Sequence, residues 1–111
     1  MPRTLALCAV SMLIPALSVA AVIHVPGDEA TIGGALLAAS PYDTVLVAPG
    51  THYVNLVWPA TPGIKLRSEL GALSTVLDGR DDVQVIGIYT GVDTTTVISG
   101  FTIQNGHAEG Q

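Results

Sequence analysis

Short strand-like runs return at nearly fixed spacing through most of this chain, and that recurrence restricts its fold more than any other feature. Thr75-Val76-Leu77-Asp78-Gly79 comes back as Thr96-Val97-Ile98-Ser99-Gly100, an offset of 21 residues. Tyr53-Val54-Asn55-Leu56 lies roughly one unit earlier. A second series runs alongside: Val45-Leu46-Val47, Ile64-Lys65-Leu66 and Val85-Ile86-Gly87-Ile88 are separated by 19 and then 21 residues. Hairpins would need tight two-residue turns between neighbouring runs, whereas here like segments recur once per circuit. Two interleaved series with one period describe coils, in which each short strand pairs with its counterpart in the next coil. The expected fold is all-β, a right-handed parallel β-helix over residues 42–111, with a two-sheet sandwich as the alternative that fixed-period repetition disfavours.

Strand periodicity of two assigns faces. Val45, Val47, Ile64, Leu66, Val76, Ile86, Ile88, Ile98, Phe101 and Ile103 are expected to point inward as stacked apolar files, with Thr44, Lys65 and Gln104 toward solvent. Ahead of these coils, residues 21–41 read as one short strand and a capping helix. Val22 to Val25 is a β-branched run stopped by Pro26-Gly27. Ile32, Ala35, Leu36 and Ala39 then recur at helical spacing, with Asp28 or Thr31 as the cap, Glu29 in the first turn and Ser40-Pro41 as the stop. Such a helix can lie across the open first coil and cover its core. No closing helix precedes Gln111, so the expected β-helix is incomplete at its C-terminus.

Residues 1–20 have the three parts of a signal peptide: Arg3, the apolar stretch Leu5 to Leu17, and small residues Ser18 and Ala20 suiting cleavage before Ala21, with a cut before Val22 as the alternative. The apolar stretch contains Pro15 and falls short of the ~20 residues needed to cross a bilayer. A secreted protein without a membrane span is expected after cleavage. Cys8, the only cysteine, would leave with the leader, so the mature chain would rely on burial and backbone pairing rather than disulfides. Removing Arg3 takes the net charge from -5 to -6. Phosphate binding needs clustered positive charge, which excludes nucleic acid as an expected partner.

Thr31 to Ala39, followed by Asp43-Thr44-Val45-Leu46-Val47-Ala48-Pro49-Gly50-Thr51-His52-Tyr53, resembles the N-terminal start of pectin lyase-like β-helix repeat proteins. Ile64 to Gly71, the Asp78-Gly79 turn and Gly100-Phe101-Thr102-Ile103-Gln104-Asn105-Gly106 follow in the same order. The departures are His52, inserted before Tyr53, and Gly33, where a polar residue is usual. The resemblance implies an extracellular polysaccharide as ligand or substrate, pectate lyase being its concrete form, with calcium bridging substrate carboxylates and a basic residue removing a proton. A non-catalytic surface or structural β-helix, a stalk or adhesin, is the alternative.

Asp78, Asp81 and Asp82 around Arg80 are the candidate calcium ligands, since calcium takes several carboxylate oxygens. The same Asp-Gly sequence is ordinary turn chemistry that needs no metal. Trp58 and Arg80 are the candidate substrate contacts, with Tyr53 and Tyr89 as further stacking rings; Lys65, Arg67 or Arg80 could serve as the base. The histidines His24, His52 and His107 are too widely spaced for a zinc pattern. Asn105, at an inward turn, is expected to build an asparagine ladder that bonds to neighbouring coils. No residue is assigned as catalytic.

Overall fold

The computed structural model describes residues 19–81, 84–90 and 92–106. Almost all of the expected leader lies outside them. The first strand, β1 (Val22–Val25), leads into helix α1 (Ile32–Ala38). Strands β2 (Thr44–Val47), β3 (Gly50–Tyr53) and β4 (Leu56–Val57) then make one circuit, and β5 (Lys65–Ser68), β6 (Thr75–Asp78) and β7 (Ile86–Gly87) the next. Strands β8 (Val97–Ser99) and β9 (Thr102–Gln104) begin another. All pairings are parallel, and apart from β1 with β2, which α1 separates in the chain, each strand pairs with one three places on: β1-β2-β5-β8 form one sheet, β3-β6-β9 a second and β4-β7 a third. The described residues form a parallel β-helix of about 3 turns with one short helix.

The register corrects the phase of the repeat. Thr44 pairs with Lys65, 21 positions on, but Lys65 pairs with Val97, 32 positions on. Thr75-Val76-Leu77 and Thr96-Val97-Ile98, the best match in the sequence, belong to different sheets: β6 pairs with β9, while β8 stacks on β5. The run at Val85 to Ile88 likewise stacks on Leu56-Val57 and not on Leu66. Alike strand sequences reflect the common need for β-branched residues with small residues at corners, which any of the three sheets satisfies. Coil length is free to vary because the connections lie outside the ladders, and the second circuit is wider at all three of its corners.

The inward files follow the corrected register. Ile23, Val45, Leu66 and Ile98 stack in one row, and Val45 and Leu66 are fully buried. In β6 the inward residues are Thr75 and Leu77, so Val76, expected inside, alternates out; around β7 the buried positions are Val85, just before the strand, and Gly87, leaving Ile86, expected inside, only partly buried against the core and Ile88 exposed. Ile103 continues the file of Leu77 but is half exposed, since it lies in the last described coil.

Helix α1 closes the first coil. Thr31 is its cap, its Oγ accepting from Gly34 N at 3.0 Å. Asp28 instead accepts from His24 N. The helix begins at Ile32, so Glu29 precedes it and the first turn holds no acidic residue. Seven residues are too few for a stable isolated helix; Ile32, Ala35 and Leu36 hold it by packing, buried against the ends of β1, β2 and β4. Fully burying a residue such as Leu36 contributes about 2–3 kcal/mol.

Candidate functional site

The corner after the second sheet gathers the polar groups. Tyr53, Asp78 and Gln104 occupy one register row at the ends of β3, β6 and β9. Asp78 is buried at the close of β6. Its Oδ1 accepts from Arg80 N at 2.7 Å, and its Oδ2 accepts from Gln104 Nε2 at 3.0 Å and Asn105 Nδ2 at 3.1 Å. The main-chain N–H of Arg80 first, then the Gln104 amide, then that of Asn105, hold this carboxyl below its ordinary 3.8, against a smaller opposing effect of desolvation. Around it, Gly79 N donates to Gln104 O and Asp81 N to Asn105 O. Asn105 therefore does bond to the preceding coil, through both its side chain and its carbonyl. Arg80, Asp81 and Asn105 all have positive φ, near 59°, 56° and 55°.

That left-handed bend sends the Arg80 side chain back over the previous coil. Its guanidinium carbon lies 4.0 Å from the centre of the Tyr53 ring, within cation–π range. Tyr53 is itself 57 % exposed. Beside the pair is a shallow depression of about 220 Å3 lined by Tyr53, Val54, Asn55, Asp78, Gly79 and Arg80. Asn55 is anchored at its rim, its Nδ2 donating to Val54 O and Gln84 O. The arrangement presents one oriented guanidinium, with the amides of Asn55, Gln104 and Asn105 nearby.

The sequence candidates are only partly brought together. Arg80 stands at the site and Asp78 supports it from beneath. Trp58 does not: it is 2 % exposed, and its ring lies in the core. It extends the β4 alternation, with Leu56 and Trp58 inward and Val57 out, while Trp58 N donates to Gly87 O. A buried indole offers no face to a sugar, so the assignment of Trp58 as a substrate contact is corrected to a core role. Among the described residues no group of three His, Cys, Asp or Glu side chains is placed to hold a metal. Both oxygens of Asp78 already face N–H donors, Asp81 is exposed, and Asp82 lies outside the described residues. Lys65 and Arg67 sit on β5, in the first sheet, on a different strand row from Arg80. Tyr89 is exposed and donates to Gln84 Oε1. His52 Nε2 donates to Ala48 O, a local bracing contact.

Tyr53 was legible as an exposed ring, but its pairing with Arg80 was not, because it depends on a 25-residue register between Tyr53 and Asp78. Gln104 was read as solvent-facing; it is exposed, yet its amide reaches Asp78. No family model, curated protein or solved structure matches the chain.

Proposed function

We propose that this chain forms an exported β-helix that binds an acidic extracellular polysaccharide at the Tyr53–Arg80 corner. The observation that carries the reading is the guanidinium held over the exposed Tyr53 ring at the edge of the depression. A planar guanidinium donates two parallel hydrogen bonds to a sugar carboxylate, and ring contact restricts its motion before binding. Asn55 adds an amide beside it for a hydroxyl. The motif resemblance to pectin lyase-like proteins and the leader-like residues 1–20 support the same class of ligand and an export route. Cleavage of the polymer belongs to the finer, pectate lyase-like form of the proposal.

Calorimetric titration with oligogalacturonate tests it, with a neutral oligosaccharide as control. The expected result is binding of the acidic ligand alone, weakened about fivefold or more by Arg80→Gln and by Tyr53→Ala, in line with a lost cation–π and charge-assisted contact. Ultraviolet detection of unsaturated products from polygalacturonate, with and without calcium, separates a lyase from a binder. Failure to bind any acidic glycan would sink the reading and leave the non-catalytic surface or structural solenoid.

A further inference from the structure

The two cleavage positions that the leader leaves open differ sharply in what they do to the folded chain. Ala21 N donates to Asp43 Oδ1 at 2.7 Å, and Ala21 O accepts from Thr44 N at 2.9 Å. Asp43 is only 6 % exposed. Its other oxygen accepts from Ser40 N at 2.9 Å, its own N–H donates to Ser40 O, and its carbonyl accepts from Lys65 N. One carboxylate thus ties the start of β1 to the exit of α1, while its backbone continues the ladder into β5. Among the described residues both donors to that carboxylate are main-chain nitrogens, and a buried carboxylate carries a desolvation cost that an adjacent positive charge offsets.

We propose that the chain is cut between Ala20 and Ala21 and that the α-ammonium so formed pairs with Asp43, locking the first strand to the helix exit. The proposal rests on the reading of residues 1–20 as an exported leader. A membrane-bound signal peptidase supplies water to the Ala20–Ala21 peptide bond. The C–N bond breaks, the hydroxyl joins the Ala20 carbonyl to leave a carboxylate, and the Ala21 nitrogen keeps the electron pair and takes up protons to become an ammonium. That nitrogen already lies at hydrogen-bond distance from Oδ1. The same nitrogen borders a groove lined by Val19, Ala20, Ala21, Ser40, Pro41, Tyr42 and Asp43, and loss of Val19 and Ala20 with the leader opens that side of it further to water. The nearest basic side chain along the adjoining strand is Lys65, whose Nζ is directed to Gly63 O at 3.5 Å. A cut before Val22 would remove Ala21 and with it both main-chain bonds.

The full chain is expressed in an exporting bacterial host, and the exported product is analysed by N-terminal sequencing and intact mass. A product starting at Ala21 is expected. A start at Val22 overturns the lock while leaving the leader in place, and an unprocessed 111-residue product overturns the leader reading itself. Asp43→Asn is then compared in the processed and unprocessed forms. The melting midpoint of the processed form is expected to fall by about 4–8 °C more than that of the unprocessed form, as for loss of one moderate interaction in a chain of this size. Equal falls overturn the pairing. Should Asp43→Asn fail to fold, the α-amino group of the wild-type processed protein is titrated by 15N NMR. A value above the ordinary range of about 7.7–8.0 is expected, and a value within it overturns the pairing.

Discussion

Asp78 shows how one side chain can serve a corner by charge and by geometry together. Its carboxylate accepts one main-chain and two side-chain N–H bonds, which favour the ionised form. With the folded-state value depressed, the stabilisation is complete above the ordinary 3.8 and is lost as pH falls through the lower folded-state value. Asp78→Asn is therefore expected to lower the melting midpoint at pH 7, with the difference from wild type shrinking below pH 3.8, as followed by circular dichroism across a pH series. A glycine matters for a different reason at the corner before β5. Gly63 has a φ of 73°, and a Cβ there would run into the Tyr42 ring. Gly63→Ala combines left-handed strain with that clash and is expected to destabilise by about 2–4 kcal/mol in urea denaturation. Thr75 and Trp58 add a cost of another kind, since Thr75 Oγ and Trp58 Nε1 are buried without a hydrogen-bond partner among the described residues.

At the scale of the element, α1 is a helix that its own sequence scarcely supports. Two of its seven residues are glycine, and each costs ~1 kcal/mol relative to alanine in a helix interior. The two are not equivalent. A Cβ at Gly34 would press on Thr31 Oγ at 3.0 Å and Glu29 Oε1 at 3.1 Å, disturbing the cap itself, whereas one at Gly33 would meet only Leu56 Cδ2 at an ordinary 3.9 Å. Gly33→Ala is expected to raise stability by about 0.5–1 kcal/mol in urea denaturation. Gly34→Ala is expected to gain less or to lose stability. The strands show the complementary case, in which two to four residues suffice because each is flanked by a parallel partner and backed by an apolar file.

For the whole molecule, stability depends on how many neighbours each coil has. Strands β2 and β5 are paired on both sides, whereas β1 and β8 have a described strand on one side only. In a stack where each repeat contacts its neighbours, opening proceeds from the less-supported coils. Hydrogen exchange is expected to be slowest in β2 and β5, intermediate in β1, where α1 covers the end, and fastest in β8 and β9. Uniform protection across all four strands of the first sheet would contradict this order. The same stacking brings the candidate site together, since Tyr53, Arg80 and Asn105 come from three successive coils and meet only when those coils are in register.

The sequence was enough to determine that the strands are short, that they stack as coils instead of forming hairpins, and that a helix capped by Asp28 or Thr31 follows the first of them. Strand length and the helix follow from side-chain alternation, β-branching and proline or glycine stops, which act within a few residues, and the coils from the return of like runs about once per circuit. The tertiary structure decided which strand stacks on which. The 21-residue return of Thr75 to Gly79 as Thr96 to Gly100 marks two strands of similar composition in different sheets. Coil length is set by connections that no ladder constrains, so a second circuit of 32 residues carries no local signature. Trp58 read as a surface ring but is core because it continues the inward alternation begun at Leu56, and the contact of Arg80 with Tyr53 emerged only once the register was known.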